Sequence, residues 1–354
     1  MKRTLAGALC ALTLAGCGGE EAVAPPPPPP PPVQAPPPAE TTPAPPPKPP
    51  LAQLEKAALT AAAVALNSHD AAAVAASYSD NAVIRVAGLS EIDGRAAAQK
   101  DMQEWFDTFA GVRVGFRRVW MLGDVVVAEW VLNGTYTGDF FGKKGENQPI
   151  GHVGLSVLWF DDSGHVKEEH RYGDLGMVAQ QVAGKGPPPP QPIVPAAPEI
   201  FPPVPGDDSS KSVQIAKSLY AAIDAKSEPN FLAELADDVT YDGHLGHVGN
   251  KTEAKAFYEA LVKAFPDAKF HITNAWGSGN WAIVEYTLTG THQGAILGLP
   301  PTHHPIEVHA VDVIRLSGDQ ISRASTYSNG LELMTALGKF KLDKPVVPPP
   351  GLKK

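Results

Sequence analysis

The sequence predicts an α+β protein of two tandem cone-shaped domains, each a curved antiparallel sheet wrapped around three N-terminal helices. Three observations lead there. The 354-residue chain repeats itself at a separation of about 156 residues. Within each copy helical periodicity comes first and strand alternation follows, the order that lays helices on one face of a sheet. Two proline-rich stretches, Ala24 to Pro50 and Gly184 to Asp208, leave two segments of about 130 residues, each the size of one domain.

The first seventeen residues read as a secretion signal: Lys2 and Arg3, an apolar run from Leu5 to Leu14, then small residues before Cys17. The run is too short to span a bilayer. Leu14-Ala15-Gly16-Cys17 resembles a bacterial lipobox, which implies cleavage before Cys17, acylation of that residue and anchorage to a lipid membrane. Gly18 resembles the pattern sent on to the outer membrane, so the expected location is the cell envelope, lipid-anchored at the outer membrane. Residues 18–50 are expected to be a disordered Pro-rich spacer. Proline fixes φ and lacks an N–H, so the stretch favours polyproline II and reaches on the order of 80 Å.

In the first domain, residues 51–183, Leu51, Leu54, Ala58 and Ala62 mark a long amphipathic helix, and Asp70 is the expected N-cap of a short second one. The linker 184–208 is again proline-rich. In the second domain, residues 209–345, the first helix carries Val213, Ala216, Leu219, Tyr220 and Ile223, and Asn230 is the expected N-cap of the second. The third runs from Thr252 to Ala264, and Phe265-Pro266 closes it because the residue before a proline leaves the helical region. Strands are expected at about 269–276, 281–291, 306–316 and 320–328, with Ile283, Glu285 and Thr287 on one side and Val284, Tyr286 and Leu288 on the other. Residues 346–354 are expected to be a disordered tail. The copies align strand by strand: Trp120 with Trp276, Trp130 to Gly138 with Tyr286 to Gly294, and His170 to Asp174 with Ser325 to Asn329.

The second copy resembles the SnoaL-like members of the nuclear-transport-factor-2-like superfamily, polyketide cyclases and their relatives. The segments that carry this are Phe257 to Leu261 with Phe265-Pro266-Asp267, Gly290 to Gly294, Gly298-Leu299-Pro300-Pro301-Thr302, and Gly330 to Gly338. The first copy enters through the repeat and has Lys143 to Pro149 in place of the Pro-Pro-Thr turn. The resemblance implies a carboxylic acid near the last strand, acting as general acid/base in aldol-type ring closure inside an apolar cavity. Asp174 fits that position, with His170 and Tyr172 on the same side of its strand. Asp174 fits equally well as the cap of the closing helical turn. The second copy has Ser325, Tyr327 and Asn329 there, and an amide does not exchange protons near neutral pH.

Candidate ligand contacts are Trp130, Tyr136, Tyr286, His292, Tyr327 and Asn329, with Tyr136 and His292 also readable as rim or core residues satisfied by backbone. Glu129 and Glu285 sit mid-strand between apolar residues, and the simplest expectation is that they face solvent. His309 and Asp312 fall on opposite sides of one strand. His303-His304 reads as a solvated turn with no third ligand at metal-binding spacing, so neither metal nor cofactor is expected.

The net charge of −9 becomes about −11 once Lys2 and Arg3 leave, and no basic stripe exists to neutralise phosphates, which argues against a nucleic-acid partner. Cys10 leaves with the signal, so the mature chain has no disulfide. The expected partners are the membrane through Cys17, a small apolar ligand, and one domain for the other as a pseudo-dimer. Two functions remain open. One is a non-catalytic ligand-binding or scaffold module. The other is a cyclase or isomerase acting on a small carbonyl compound in the first domain. The anchor, the spacer and the division of the two signatures between the copies favour the first.

Overall fold

In a computed structural model the described residues are 49–89, 91–140, 142–184, 191–202, 209–243 and 245–341. Cys17, most of the spacer and the tail lie outside them. The first domain runs α1 (Leu51–Asn67), α2 (Ala71–Ala75), β1 (Tyr78–Val86), β2 (Ile92–Asp93), α3 (Arg95–Thr108), β3 (Phe109–Met121), β4 (Val125–Tyr136), β5 (Asp139–Phe140), β6 (Lys143–Lys144), β7 (Gln148–Phe160), β8 (Val166–Gly173) and α4 (Leu175–Ala183). β9 (Glu199–Phe201) lies in the linker. The second domain runs α5 (Ser210–Asp224), α6 (Glu228–Ala233), β10 (Leu235–Gly243), β11 (Gly246–Val248), α7 (Lys251–Ala264), β12 (Lys269–Ser278), β13 (Trp281–Thr291), β14 (Pro305–Ser317), β15 (Gln320–Ser328) and α8 (Gly330–Ala336).

The two sheets have the same topology, β2-β1-β8-β7-β4-β3 and β11-β10-β15-β14-β13-β12, so the sequence repeat is a repeat of architecture. Within these six strands each sheet is antiparallel except at one place, and β9 extends the first sheet beyond β3. β1 pairs in parallel with β8, and β10 with β15, because the meander brings the last strand back beside the first. α1 begins after Pro50, which stands at the N-cap with an extended backbone. Asp70 caps α2 by accepting from the Ala73 N–H, as expected. Asn230 is not a cap: α6 starts three residues earlier, after Ser227, because Pro229 is tolerated in the first turn. The linker is not a free spacer throughout. β9 pairs in parallel with β3, and Phe201 stacks on Trp120 at 5.2 Å.

Each sheet curls around its helices, which bury Val74 and Ala98 against Val126 and Leu158 in one domain, and Tyr220 and Leu261 against Ile314 and Ala310 in the other. The outer faces are buried as well. Trp120, Val127, Leu155, Val157 and Tyr172 of the first sheet share one apolar cluster with Trp281, Ile283, Val311, Val313 and Tyr327 of the second. A strand buried on both faces reads as a nearly continuous apolar run. That is why the stretch from Ile306 to Leu316 alternates so weakly.

Candidate active site

The clearest chemistry lies in the second domain. Its helices and sheet enclose an apolar cavity of about 110 Å³ walled by residues such as Leu219, Phe231, Phe257, Leu288 and Val308. β14 sends every second side chain inward, and Asp312 is the one acid in that inward series of Val308, Ala310, Asp312 and Ile314. Three hydroxyls donate to its carboxylate: Tyr220 at 2.8 Å, Tyr286 at 3.2 Å and Thr326 at 2.6 Å. Burial disfavours the charged form more than these bonds favour it, so the Asp312 pKa is pushed up to about 6. Among the described residues the cavity wall holds no lysine or arginine.

The first domain has a larger cavity, about 160 Å³, and a different polar wall. The strand registers put Ser156 where the second domain has Asp312, and Arg171 where it has Thr326. The acid is on β8 instead. Glu169 accepts from Tyr78 at 2.5 Å, from Ser156 at 2.7 Å and from two guanidinium nitrogens of Arg171 at 3.0 Å each. Burial opposes its charge, but Arg171 and the two hydroxyls outweigh that and hold Glu169 below the usual carboxylate range. Arg171 also reaches Asp101 at 3.3 Å. An ion-paired carboxylate of this kind is a weak base.

His170, Tyr172 and Asp174 do share one side of the chain, but it is the outer side, turned to the other sheet. His170 and Tyr172 each hydrogen-bond Glu285 at 2.6 Å across the domain junction. Burial works against the charge of His170, yet Glu168 and Glu285 overcome it and push its pKa up to about 9. Half-buried Asp174 caps α4 by accepting from Met177 at 3.1 Å, and accepts from Gly330 of the second domain at 3.0 Å. It is not among the residues that line the cavity.

Of the candidate ligand contacts, Trp130 and Tyr286 line their cavities. Tyr327 instead donates to Glu129 at 2.7 Å, and Asn329 caps α8 while donating to the Ala87 carbonyl at 2.8 Å, both across the junction. Tyr136 is a core residue whose hydroxyl bonds the backbone of Lys143 and Phe140, and buried His292 bonds the amide and hydroxyl of Thr302. The expectation that Glu129 and Glu285 face solvent fails. They are 1% and 2% exposed, held by Arg118 and Tyr327 in one case and by Asn274, His170 and Tyr172 in the other. An acid between apolar residues looks solvent-facing only when the outer face is assumed to be wet.

His309 and Asp312 do lie on opposite sides of β14, His309 bonded to Glu332 and Asp312 facing the cavity. The available signal for the latter was an aspartate on the same strand side as Val308, Ala310 and Ile314. Among the described residues, no group of three or more His, Cys, Asp or Glu is placed to hold a metal, and no helix is long and apolar enough to cross a membrane.

A family model described as SnoaL-like polyketide cyclase matches the chain twice, over residues 56–182 and 214–337. No curated relative matches it. Among solved structures, AclR from Streptomyces galilaeus is 20% identical with a TM-score of 0.35, over 38% of this chain and 100% of its own. A SnoaL-like protein from Jannaschia sp. CCS1 is 22% identical with a TM-score of 0.36, over 38% and 100%. A protein with the ketosteroid isomerase-like fold from Catenulispora acidiphila is 18% identical with a TM-score of 0.32, over 35% and 92%.

Proposed function

Because this chain belongs to the SnoaL-like polyketide cyclase family, we propose that its second domain transfers protons on a small apolar carbonyl compound, with Asp312 as general acid/base, and that acylated Cys17 holds the protein at the cell envelope. The observation that carries the reading is one carboxyl with a pKa of about 6 in an apolar cavity, partnered by hydroxyls and not by a cation. At neutral pH most of it is ionised and ready to accept a proton, yet it is basic enough to take one.

The chemistry balances without a further reactant. Ionised Asp312 takes a proton from the carbon beside the substrate carbonyl, the C–H electron pair becomes the enolate double bond, and charge moves to the carbonyl oxygen. As Asp312 becomes neutral, the hydroxyls of Tyr220 and Tyr286 are released from it and can donate to that oxygen. Neutral Asp312 then returns its proton, either to another carbon, which isomerises the substrate, or to the alkoxide formed when the enolate carbon adds to a second carbonyl. The apolar wall keeps the carboxyl dry between the two transfers.

Conversion of cyclohex-3-en-1-one to its conjugated isomer, followed by ultraviolet absorbance with the full-length protein, tests the proposal. Asp312→Asn should lower the rate by about a hundredfold or more, the usual scale for losing a general base. Asp174→Asn should leave it nearly unchanged. The reverse pattern would assign the acid to the first domain. Equal activity in the parent and both variants would support the non-catalytic, ligand-holding role for the whole protein.

A further inference from the structure

We propose that the first-domain cavity is a binding site for an uncharged, largely apolar molecule carrying one hydroxyl or carbonyl oxygen, and that His152 is the residue that recognises that oxygen. His152 is 2% exposed and lines the cavity, and neither ring nitrogen has a hydrogen-bond partner. The backbone of Val153 lies near the ring without reaching hydrogen-bonding geometry. Buried polar groups are nearly always paired, so two open nitrogens on one wall of an apolar cavity point to a partner that enters it.

The site is built around the ring. Trp130 meets it edge to face, with centroids 5.3 Å apart at 84°. Gly154 and Gly173 sit opposite each other in the β7–β8 register, and a Cβ on Gly154 would lie 2.2 Å from the Trp130 ring. A Cβ on Gly173 would come within 3.1 Å of both rings. The two glycines therefore make the space in which Trp130 and His152 form a wall.

The charge of the ligand follows from the remaining polar groups. Burial, opposed only in part by Asp174 and the nearby Val153 backbone, pushes the His152 pKa down to about 4, so the ring is neutral and offers one donor and one acceptor. Arg171 offers no free charge to an anion, because Glu169 and Asp101 already occupy it. Glu169 in turn is filled by Arg171, Tyr78 and Ser156. An anion would enter a dry space with no cation to meet it, whereas a neutral hydroxyl or carbonyl satisfies the imidazole at little cost. This site is independent of Asp312 and belongs to the domain that lacks the proton-transfer carboxyl.

Calorimetry with the full-length protein tests this with three probes of one shape: p-cresol, toluene and p-toluate. p-Cresol should bind at least about tenfold more tightly than toluene, because only it pairs the buried ring, and p-toluate should bind more weakly than p-cresol. His152→Phe should remove the p-cresol preference while keeping toluene binding, and His152→Gln, which retains a donor and an acceptor, should keep part of it. Asp312→Asn should leave the preference intact, which separates this cavity from the other. In the parent protein the imidazole ¹⁵N resonances of His152 should move with p-cresol and stay still with toluene, a measurement that needs no variant to fold. No p-cresol binding at millimolar concentration, equal binding of p-toluate, a preference that survives His152→Phe, or unmoved His152 resonances would each overturn the proposal.

Discussion

Asp312 binds its proton more tightly in the folded protein than in the unfolded chain, since about 6 lies above the ordinary value of 3.8. Between those pH values the native state carries protons that the unfolded chain has released, so this group makes stability fall as pH rises from about 4 through 6. A shift of roughly two pH units corresponds to about 3 kcal/mol. Denaturant unfolding of the parent and Asp312→Asn at pH 4 and pH 7 should show the variant gaining about that much relative to the parent at the higher pH, and a difference that does not move with pH would count against a buried, desolvated Asp312. His152 acts with the opposite sign. Its pKa of about 4 lies below 6.5, so its contribution is present above 6.5 and is lost as pH falls through 4. His152→Phe should flatten the acid limb of the stability curve, and an unchanged limb would contradict that depressed pKa. At this scale the sequence told opposite strand faces apart, as with His309 and Asp312. It could not say which face was inside, because both faces of β14 are apolar.

β8 shows the same limit for a whole element. Its alternation was legible, and His170 and Tyr172 do lie on one side, but that side meets the other domain's β13 at Glu285. Glu285→Ala would leave His170 and Tyr172 buried without their shared acceptor. Removing one partner of a buried charged pair typically costs about 3–5 kcal/mol, and denaturant midpoints should show a loss of that order. Conversely, the contribution of His170 is present below 6.5 and is lost as pH rises through about 9, the sign for a histidine whose folded pKa is raised. Stability should therefore decline from pH 7 to 9.5 in the parent and much less in Glu285→Gln, and parallel curves would remove the pair from the junction's energetics. The start of α6 was misplaced for a simpler reason: Asn230 is a good cap residue in isolation, but Pro229 can occupy the first turn, which moves the start back to Ser227.

For the whole molecule, the repeat and the order of helices and strands were readable because they rest on periodicity within one chain. The double burial of the sheets was not, since it depends on what lies outside each domain. Residues 209–345 alone would expose Trp281, Ile283, Val311, Val313 and Tyr327, and burying each such aliphatic or aromatic side chain is worth about 1.5–3 kcal/mol. That fragment should self-associate in sedimentation at tens of micromolar while the full chain does not, and a monomeric fragment would show that the shared face contributes little. On the function proposed above, proton transfer falls to the second domain and ligand holding to the first, because Asp312 lacks the cation that Arg171 gives Glu169. The pH profile of cyclohex-3-en-1-one isomerisation by the full-length protein tests that assignment most directly. After the background rate is subtracted, activity should rise through an inflection near pH 6 and then level off, and an inflection near pH 4 or a rate independent of pH would remove Asp312 from the role of base.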